Sequence, residues 1–414
     1  MLRTASVYLF TNVISAASPF ILLPILTKYL SVAEYGKVAI FMMLFISLPP
    51  LIGLCVNGAA NRKFFDDVGE EKRISFNTSC LAISVVTTFS LILFVCIFRN
   101  ELEYYLDISF AWIVIACFGA FSNFVNSLLL GQWQMRNSVK KYGVFSIVNS
   151  LNGLLFSSIF VIAFKLGGDG RVWGLLISGA LSLVVTIWML LRERFVVFST
   201  YNLNDVKEAL HFGLPLIPHS FSALLFSQSD RFFIKEMISI EAVGVYMAAF
   251  QLSLVLKVVF TAVNNAYTPW LFERLSRNDL KVKEEVVRLT YSYMCCLVLL
   301  SAFCYFVSPF LSHLVLDYKY NEVGMFIGLL FVAQIVQGIY FVFTNYIFYS
   351  KKTSKLFVLT VLSGVVNVSL VYYLIPTYGL WGVAFSFLIS KVVLSVLTII
   401  YAQRVHRMPW LKVF

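Results

Sequence analysis

The residues of this chain most able to do chemistry are charges set deep in apolar sequence. Lys257 stands near the middle of the run Gly244 to Trp270, more than ten residues from either end. At about 1.5 Å of rise per residue, roughly 15 Å of hydrocarbon lies on each side, too far for a lysine to snorkel out. A central lysine costs on the order of 2.5–3.5 kcal/mol on insertion scales, so it is expected to face the protein interior or a wet cavity. Ser253, Lys257, Thr261, Asn264 and Thr268 follow at helical spacing and share one face, opposite Leu, Val, Phe and Ala. Lys391 repeats the pattern in the last apolar run, with Ser395 and Thr398 on its face. One reading is a pair of lysines satisfied inside a helix bundle. The other weighs the absence of an obvious deep carboxylate: two unpaired central cations ask for an anionic guest.

Other polar groups recur at the same depth. The seventh apolar run places His219, Ala223, Ser227 and Asp230 on one face, with Arg231 alongside. Asn57 and Asn61 lead to Arg62 at one end of the second run, whose middle is interrupted by Pro49-Pro50. Thr11, Ser15 and Ser18 share a face of the first run, ending at Pro19, with Pro24 a turn on; these prolines predict a bent helix. Gln334, Gln337 and Asn345 lie in the tenth run. Each has a plainer reading. Ser, Asn and Gln in spans often serve as interhelical glue, His219 fits a satisfied core histidine, and Asp230 and Arg231 can neutralise each other. No nucleophile elbow, P-loop, carboxylate pair or metal-ligand cluster is present, so catalytic residues, a bound metal and a cofactor are not expected. The seven cysteines all sit in apolar segments without a CxxC or Cys/His pattern.

The elements that must position these groups are membrane helices. The 414 residues are 60% hydrophobic and 13% charged, against about 25% charged in soluble domains. Twelve apolar segments near the length of a span follow, roughly 8–29, 38–60, 76–98, 109–131, 143–164, 172–191, 213–235, 245–267, 286–307, 324–347, 356–375 and 381–402. The net charge of +11 suits membrane topology better than nucleic acid. With the N-terminus inside, Arg62, Lys63, Lys72, Arg73, Arg136, Lys140 and Lys141 fall in the cytoplasm, as do Arg192, Arg194, Arg274, Arg277, Lys351 and Lys352. The opposite segments are poor in Lys and Arg, which puts both termini in the cytoplasm. Trp112, Trp173 and Trp381 then mark the outer interface and Trp133, Trp188, Trp270 and Trp410 the inner one.

The fold expected is an all-α integral membrane protein of twelve transmembrane helices in two six-helix lobes. The lobes would be residues 1–191 and 213–414, with 192–212 as a cytoplasmic linker in which Asn204-Asp205 could cap a short surface helix. Ser31 and Ser239, Gly36 and Gly244, Trp173 and Trp381, Gly174 and Gly382, and Ser178 and Ser386 share one sequence offset, which points to duplication. Six spans per lobe is an even number, so the pseudo-two-fold axis lies along the membrane normal. Such paired bundles usually hold substrate where the lobes meet.

Several motifs go further. Phe212-Gly213-Leu214-Pro215-Leu216-Ile217-Pro218-His219, Ser229-Asp230-Arg231, Val243-Gly244-Val245-Tyr246 and Asn264-Asn265-Ala266-Tyr267-Thr268-Pro269-Trp270 resemble those of Wzx-type O-antigen flippases. Those flippases form part of the polysaccharide-transport branch of the multidrug/oligosaccharidyl-lipid/polysaccharide (MOP) exporter superfamily. Leu30 to Gly36 resembles the family's first outer loop, and Tyr378-Gly379-Leu380-Trp381-Gly382-Val383-Ala384 its turn between the last two spans. The resemblance implies a transporter rather than an enzyme, working by alternating access in the bacterial inner membrane. It would carry an undecaprenyl-pyrophosphate-linked oligosaccharide from the cytoplasmic to the periplasmic leaflet for lipopolysaccharide assembly. Its partners would be that lipid, the bilayer, and O-antigen assembly proteins such as a polymerase and a chain-length regulator, with no nucleic acid. By similarity to lipid II flippases, Lys257 and Lys391 would face the pyrophosphate in a cationic cavity, assisted by Arg62, Arg231 and Asn264. Asp230 matches the family's seventh-span pair and would serve ion coupling or a structural pair with Arg231. The alternative is a multidrug exporter of the same superfamily, exchanging organic cations for protons or sodium. That activity wants a deep carboxylate in the first or eighth span, and neither has one.

Overall fold

In the computed structural model, residues 2–66, 69–277, 279–352 and 355–410 are described, apart from the side chains of residues 2–10, 12, 219 and 221–227. His219, Ala223 and Ser227, read above as one face with Asp230, therefore have side chains outside the described set. The described chain is helical nearly throughout. In order come α1 (Leu2–Tyr29), α2 (Val32–Ser47), α3 (Pro49–Ile52), α4 (Val56–Lys63), α5 (Glu70–Ile97), α6 (Arg99–Leu106), α7 (Phe110–Met135) and α8 (Val139–Ser158). Then follow α9 (Gly167–Arg192), α10 (Leu203–Gly213), α11 (Ile217–Met237), α12 (Ile240–Ser276), α13 (Leu280–Val315), α14 (Val323–Tyr349) and α15 (Leu356–Val405).

Among the described residues nine helical stretches are long and apolar enough to cross a membrane, and α1 contributes a shorter apolar stretch, Val13–Tyr29. The last stretch is two helices in one: Gly379 (φ 53°, ψ −133°) interrupts α15 in a backbone region open to glycine alone. This is the turn whose motif the sequence displays. With it, and with α11 (Ile217–Met237) as a further crossing, the element order is compatible with twelve crossings of an all-α membrane protein.

Local chemistry accounts for the breaks. Pro49 and Pro50 end α2, since neither can donate the backbone hydrogen bond that would continue it. Leu54 and Cys55 then take positive φ before α4 begins. α1, in contrast, stays helical through Pro19 and Pro24. The motif Ser31-Val32-Ala33-Glu34 closes as a capping box: Ser31 Oγ accepts from the Glu34 amide at 3.2 Å, and the Ser31 amide donates to Glu34 Oε2 at 2.8 Å. Ser239, its counterpart in the second half, accepts from the amide of Ala242 in the same relative place. Other matched positions agree. A Cβ on Gly174 would lie 2.6 Å from the Ser157 backbone, and one on Gly382 would lie 2.6 Å from the carbonyl oxygen of Leu374. Both glycines let a helix press against the one before it. Trp173 and Trp381 are similarly exposed, at 46% and 41%.

The chain divides into two compact units, Met1–Leu225 and Phe226–Phe414, the division falling within α11. In the first unit α7 is the most buried candidate span, packed by α2, α5 and α9. Ile52, Phe76, Phe124, Leu128, Trp133 and Leu190 form its apolar centre. In the second, α14 is the most buried, touching α12, α13 and α15. Leu271, Val287, Phe343, Tyr346 and Ile347 pack around it. α7 and α14 are the fourth and tenth apolar segments, again equivalent in the duplication. Outer faces carry large bare apolar side chains, such as Phe89 (71% exposed) and Phe306 (78%), which a hydrocarbon solvent accepts and water would not.

Residues 192–212 also have a definite structure. α10 packs on α4 and α5 of the first unit. Its cap is Asn202, whose side chain accepts from the Asn204 amide at 2.8 Å, rather than the expected Asn204-Asp205. Asp205 is instead fully buried, hydrogen-bonded by Ser75 and Lys72.

Candidate functional site

The second unit gathers most of the charges singled out in the sequence. α11 supplies Asp230 and Arg231, which are 5% and 7% exposed. Asn367 of α15 donates Nδ2–H to Asp230 Oδ1 at 2.8 Å, and Tyr246 of α12 donates its hydroxyl to Oδ2 at 3.2 Å. Arg231 donates Nε–H to Met247 Sδ at 2.8 Å and lies over the Phe250 ring, 5.8 Å from its centroid. Asp230 thus feels the neighbouring guanidinium but is held by an amide and a phenol from two other helices.

Lys391 is half-buried on α15, donates Nζ–H to Gln337 Oε1 of α14 at 3.0 Å, and stands 5.2 Å from the Phe387 ring centroid. It interacts electrostatically with both Lys257 and Asp230. The expectation that no deep carboxylate would stand near the lysines is therefore corrected. Asp230 and Lys391 stand on different helices, α11 and α15, and packing of α15 on its neighbours brings the two charges within electrostatic range. Lys257 itself is exposed on α12. The result is a cluster of two ammonium groups, a guanidinium and one carboxylate, with net positive charge.

The polar face of α12 is confirmed in part as a contact with α14. Gln334 donates to Ser253 Oγ at 3.5 Å, Asn345 donates to Asn264 Oδ1 at 2.9 Å, and Thr268 donates to Asn345 Oδ1 at 3.1 Å. Asn264 is thus tied into helix packing, away from the charge cluster. It also borders an apolar cavity of about 140 Å³ with Phe260, Tyr267 and Tyr293. Arg62 belongs to the first unit, exposed at the end of α4, with its guanidinium 5.9 Å from the Phe212 ring centroid.

Sequence reasoning missed Asn367 and Tyr246. Tyr246 stood inside a quoted motif, but nothing marked it as a carboxylate partner. Asn367 has a second property: its Oδ1 is buried and without a hydrogen-bond partner among the described residues. The amide orientation is fixed by its neighbour, since only the NH₂ side can face the carboxylate. The leftover oxygen can accept a proton donor or meet a cation.

A sequence profile described as "Polysaccharide biosynthesis protein" matches residues 1–275. The chain belongs to that family. This family member is also 24% identical over 377 residues to a protein of the Lsg locus of Haemophilus influenzae, covering 89% of both chains. A second Haemophilus influenzae relative, an uncharacterized membrane protein, is 24% identical over 289 residues, 69% of this chain and 68% of its own. In fold the family member is similar to an inward-facing multidrug resistance MATE family transporter of the MOP superfamily, with TM-score 0.75, 14% identity, and 95% and 94% of the two chains covered. A MATE structure in a straight conformation gives TM-score 0.64 at 17% identity over 97% and 94%. The family is thus that of the polysaccharide biosynthesis proteins, and the fold is the one seen in MATE transporters.

Proposed function

We propose that the chain is a flippase that moves an undecaprenyl-pyrophosphate-linked O-antigen or related polysaccharide repeat unit across the bacterial inner membrane. The unit would pass from the cytoplasmic to the periplasmic leaflet by alternating access through a cationic cavity. The observation that carries this reading is the gathering of cationic side chains on membrane helices of one unit: Lys391 on α15, 3.0 Å from Gln337 Oε1, with Lys257 on α12 and Arg231 on α11. Cations set at membrane depth are costly without a counter-charge, and a polyanionic guest lowers that cost. A pyrophosphate offers such a guest; an organic cation does not, which disfavours the multidrug alternative despite the shared fold. Lys257, Lys391 and Arg231 would bind the pyrophosphate. Both termini would be cytoplasmic, and a polymerase and a chain-length regulator would act on the delivered units.

For Asp230, the unpartnered Asn367 Oδ1 favours ion coupling over a purely structural pair. A carboxylate, an amide oxygen and a phenol at one buried point make a place where a proton or small cation can be taken up and released. The decisive experiment compares the leaflet distribution of the lipid-linked repeat unit in cells with and without the chain. Intact, unpolymerised units should accumulate on the cytoplasmic leaflet without it. Normal periplasmic delivery in its absence would overturn the proposal.

A further inference from the structure

A second polar feature lies within the first unit. α1, α2, α7, α8 and α9 line an open cavity of about 190 Å³. A void of about 150 Å³ already admits a benzene-sized ring, so one six-membered ring fits. Its walls are not those of a packing defect. Ser15, Ser18, Ser122, Ser150, Ser178 and Ser182 line it, and every one donates its hydroxyl proton to a backbone carbonyl. Their hydrogens are spent, and what they can still offer is oxygen lone pairs. A ligand that suits such a wall brings its own O–H donors.

Other groups on the wall remain available. Asn123 and Asn149, both half-buried, have no hydrogen-bond partner among the described residues and can give and accept. Arg171 reaches the cavity from near the start of α9 and donates to Ser157 Oγ at 2.5 Å. Among the described residues no ion pair holds it. Asp169, two residues before it, is engaged by Trp112 Nε1–H at 2.7 Å. Among the described residues no carboxylate lines the cavity. A guanidinium uses one of its five donors on Ser157 and keeps the others for a planar acceptor such as a carboxylate.

We propose that this cavity is a subsite for a carboxylate-bearing sugar residue. Arg171 would hold the carboxylate, and Asn123, Asn149 and the serine oxygens would hold the ring hydroxyls. The inference rests on the lipid-linked saccharide reading above and narrows its substrate to repeat units containing an acidic sugar.

The test is saturation-transfer NMR on the purified full chain in detergent, with sodium glucuronate, glucose and acetate as separate probes. Glucuronate should give the strongest transfer; one charge-assisted contact implies an advantage of about tenfold in affinity over glucose. Arg171→Gln should remove that advantage and Arg171→Lys should keep part of it. Gly153→Ala and Gly179→Ala give a reading that does not depend on Arg171. An added Cβ there meets nothing closer than 3.9 Å and 3.8 Å respectively, so each narrows the cavity without a clash and should weaken glucuronate binding at unchanged melting temperature. No transfer to glucuronate, equal transfer in Arg171→Gln, or undiminished binding in both alanine variants would overturn the proposal. Transfer to acetate matching that to glucuronate would also overturn it, leaving a plain anion site. Loss of binding with normal leaflet delivery refutes this subsite alone. Binding as expected without leaflet delivery refutes the flippase reading instead.

Discussion

Asn367 donates to Asp230 at 2.8 Å while its own carbonyl oxygen stays buried and unpartnered. That oxygen remains able to accept from a proton donor or to meet a cation beside the carboxylate. A coupling role for Asp230 separates two outcomes. If Asp230 served only to neutralise Arg231, the double variant Asp230→Asn/Arg231→Gln would recover activity lost in each single variant. Because Asn367 and Tyr246 also hold the carboxylate, the expected result is different. The double variant stays as inactive as Asp230→Asn in a complementation assay at equal expression, and Asn367→Ala joins it. Rescue in the double variant would return Asp230 to a structural role.

The lysine cluster predicts a charge requirement. Lys257→Ala and Lys391→Ala should each lower polysaccharide display by about tenfold, the loss of one charge-assisted contact to the guest. Protein levels should stay near normal for Lys257, which is exposed. Arginine at either position should preserve more function than glutamine, since charge rather than length is needed. Full activity of both alanine variants at normal abundance would remove the anionic-guest argument.

Orientation is open to a direct check. A reporter fused at Ser138, between α7 and α8, should read cytoplasmic, and one at Asn321, between α13 and α14, should read periplasmic. The basis is the crowding of Arg136, Lys140 and Lys141 beside Ser138. A periplasmic signal at Ser138 inverts the map.

The spans were legible because a bilayer leaves so little choice: a run near 20 apolar residues has to be a helix there. The break at Pro49-Pro50 and the turn at Gly379 were legible for equally local reasons, a missing donor and a missing Cβ. Partners were harder. Asn367 in a span reads the same as any interhelical amide, and nothing near it in sequence points to Asp230, which lies on another helix. Asp205 shows a different limit. Asn202, Asn204 and Asp205 are all good cap types, and only packing against α5 decides that Asn202 caps while Asp205 turns inward. In the sequence Arg171 is only a basic residue two positions before Trp173. Its surroundings come from five helices and no single stretch displays them.

Asp205 and Lys63 give the last prediction, on how α10 is fastened within the first unit. The Asp205 side chain is fully buried, with Lys72 and Ser75 on its oxygens, whereas Lys72 is 41% exposed. Removing the carboxylate leaves Lys72 free to turn to water, so the cost is set mainly by the lost hydrogen bonds. Asp205→Ala should destabilise by about 1–3 kcal/mol, read as a lowered melting temperature in detergent. Removing Lys72 instead strands a buried carboxylate, so Lys72→Ala should cost at least as much. The second fastening is Lys63, bonded to Glu208 Oε1 at 2.6 Å and 3.4 Å from Asp66. Burial pulls its ammonium down, but Glu208 and Asp66 outweigh that and hold it above the ordinary lysine value. A raised folded-state value contributes stability that is fully present below about pH 10.4, the unfolded lysine value, and fades as pH climbs through the folded one. Glu208→Gln should therefore lower the melting temperature at pH 7 by a small amount, since Glu208 is half exposed and partly screened. The gap to wild type should close at the alkaline end of the range. A gap that widened with rising pH would mean that Lys63 is not the group Glu208 holds.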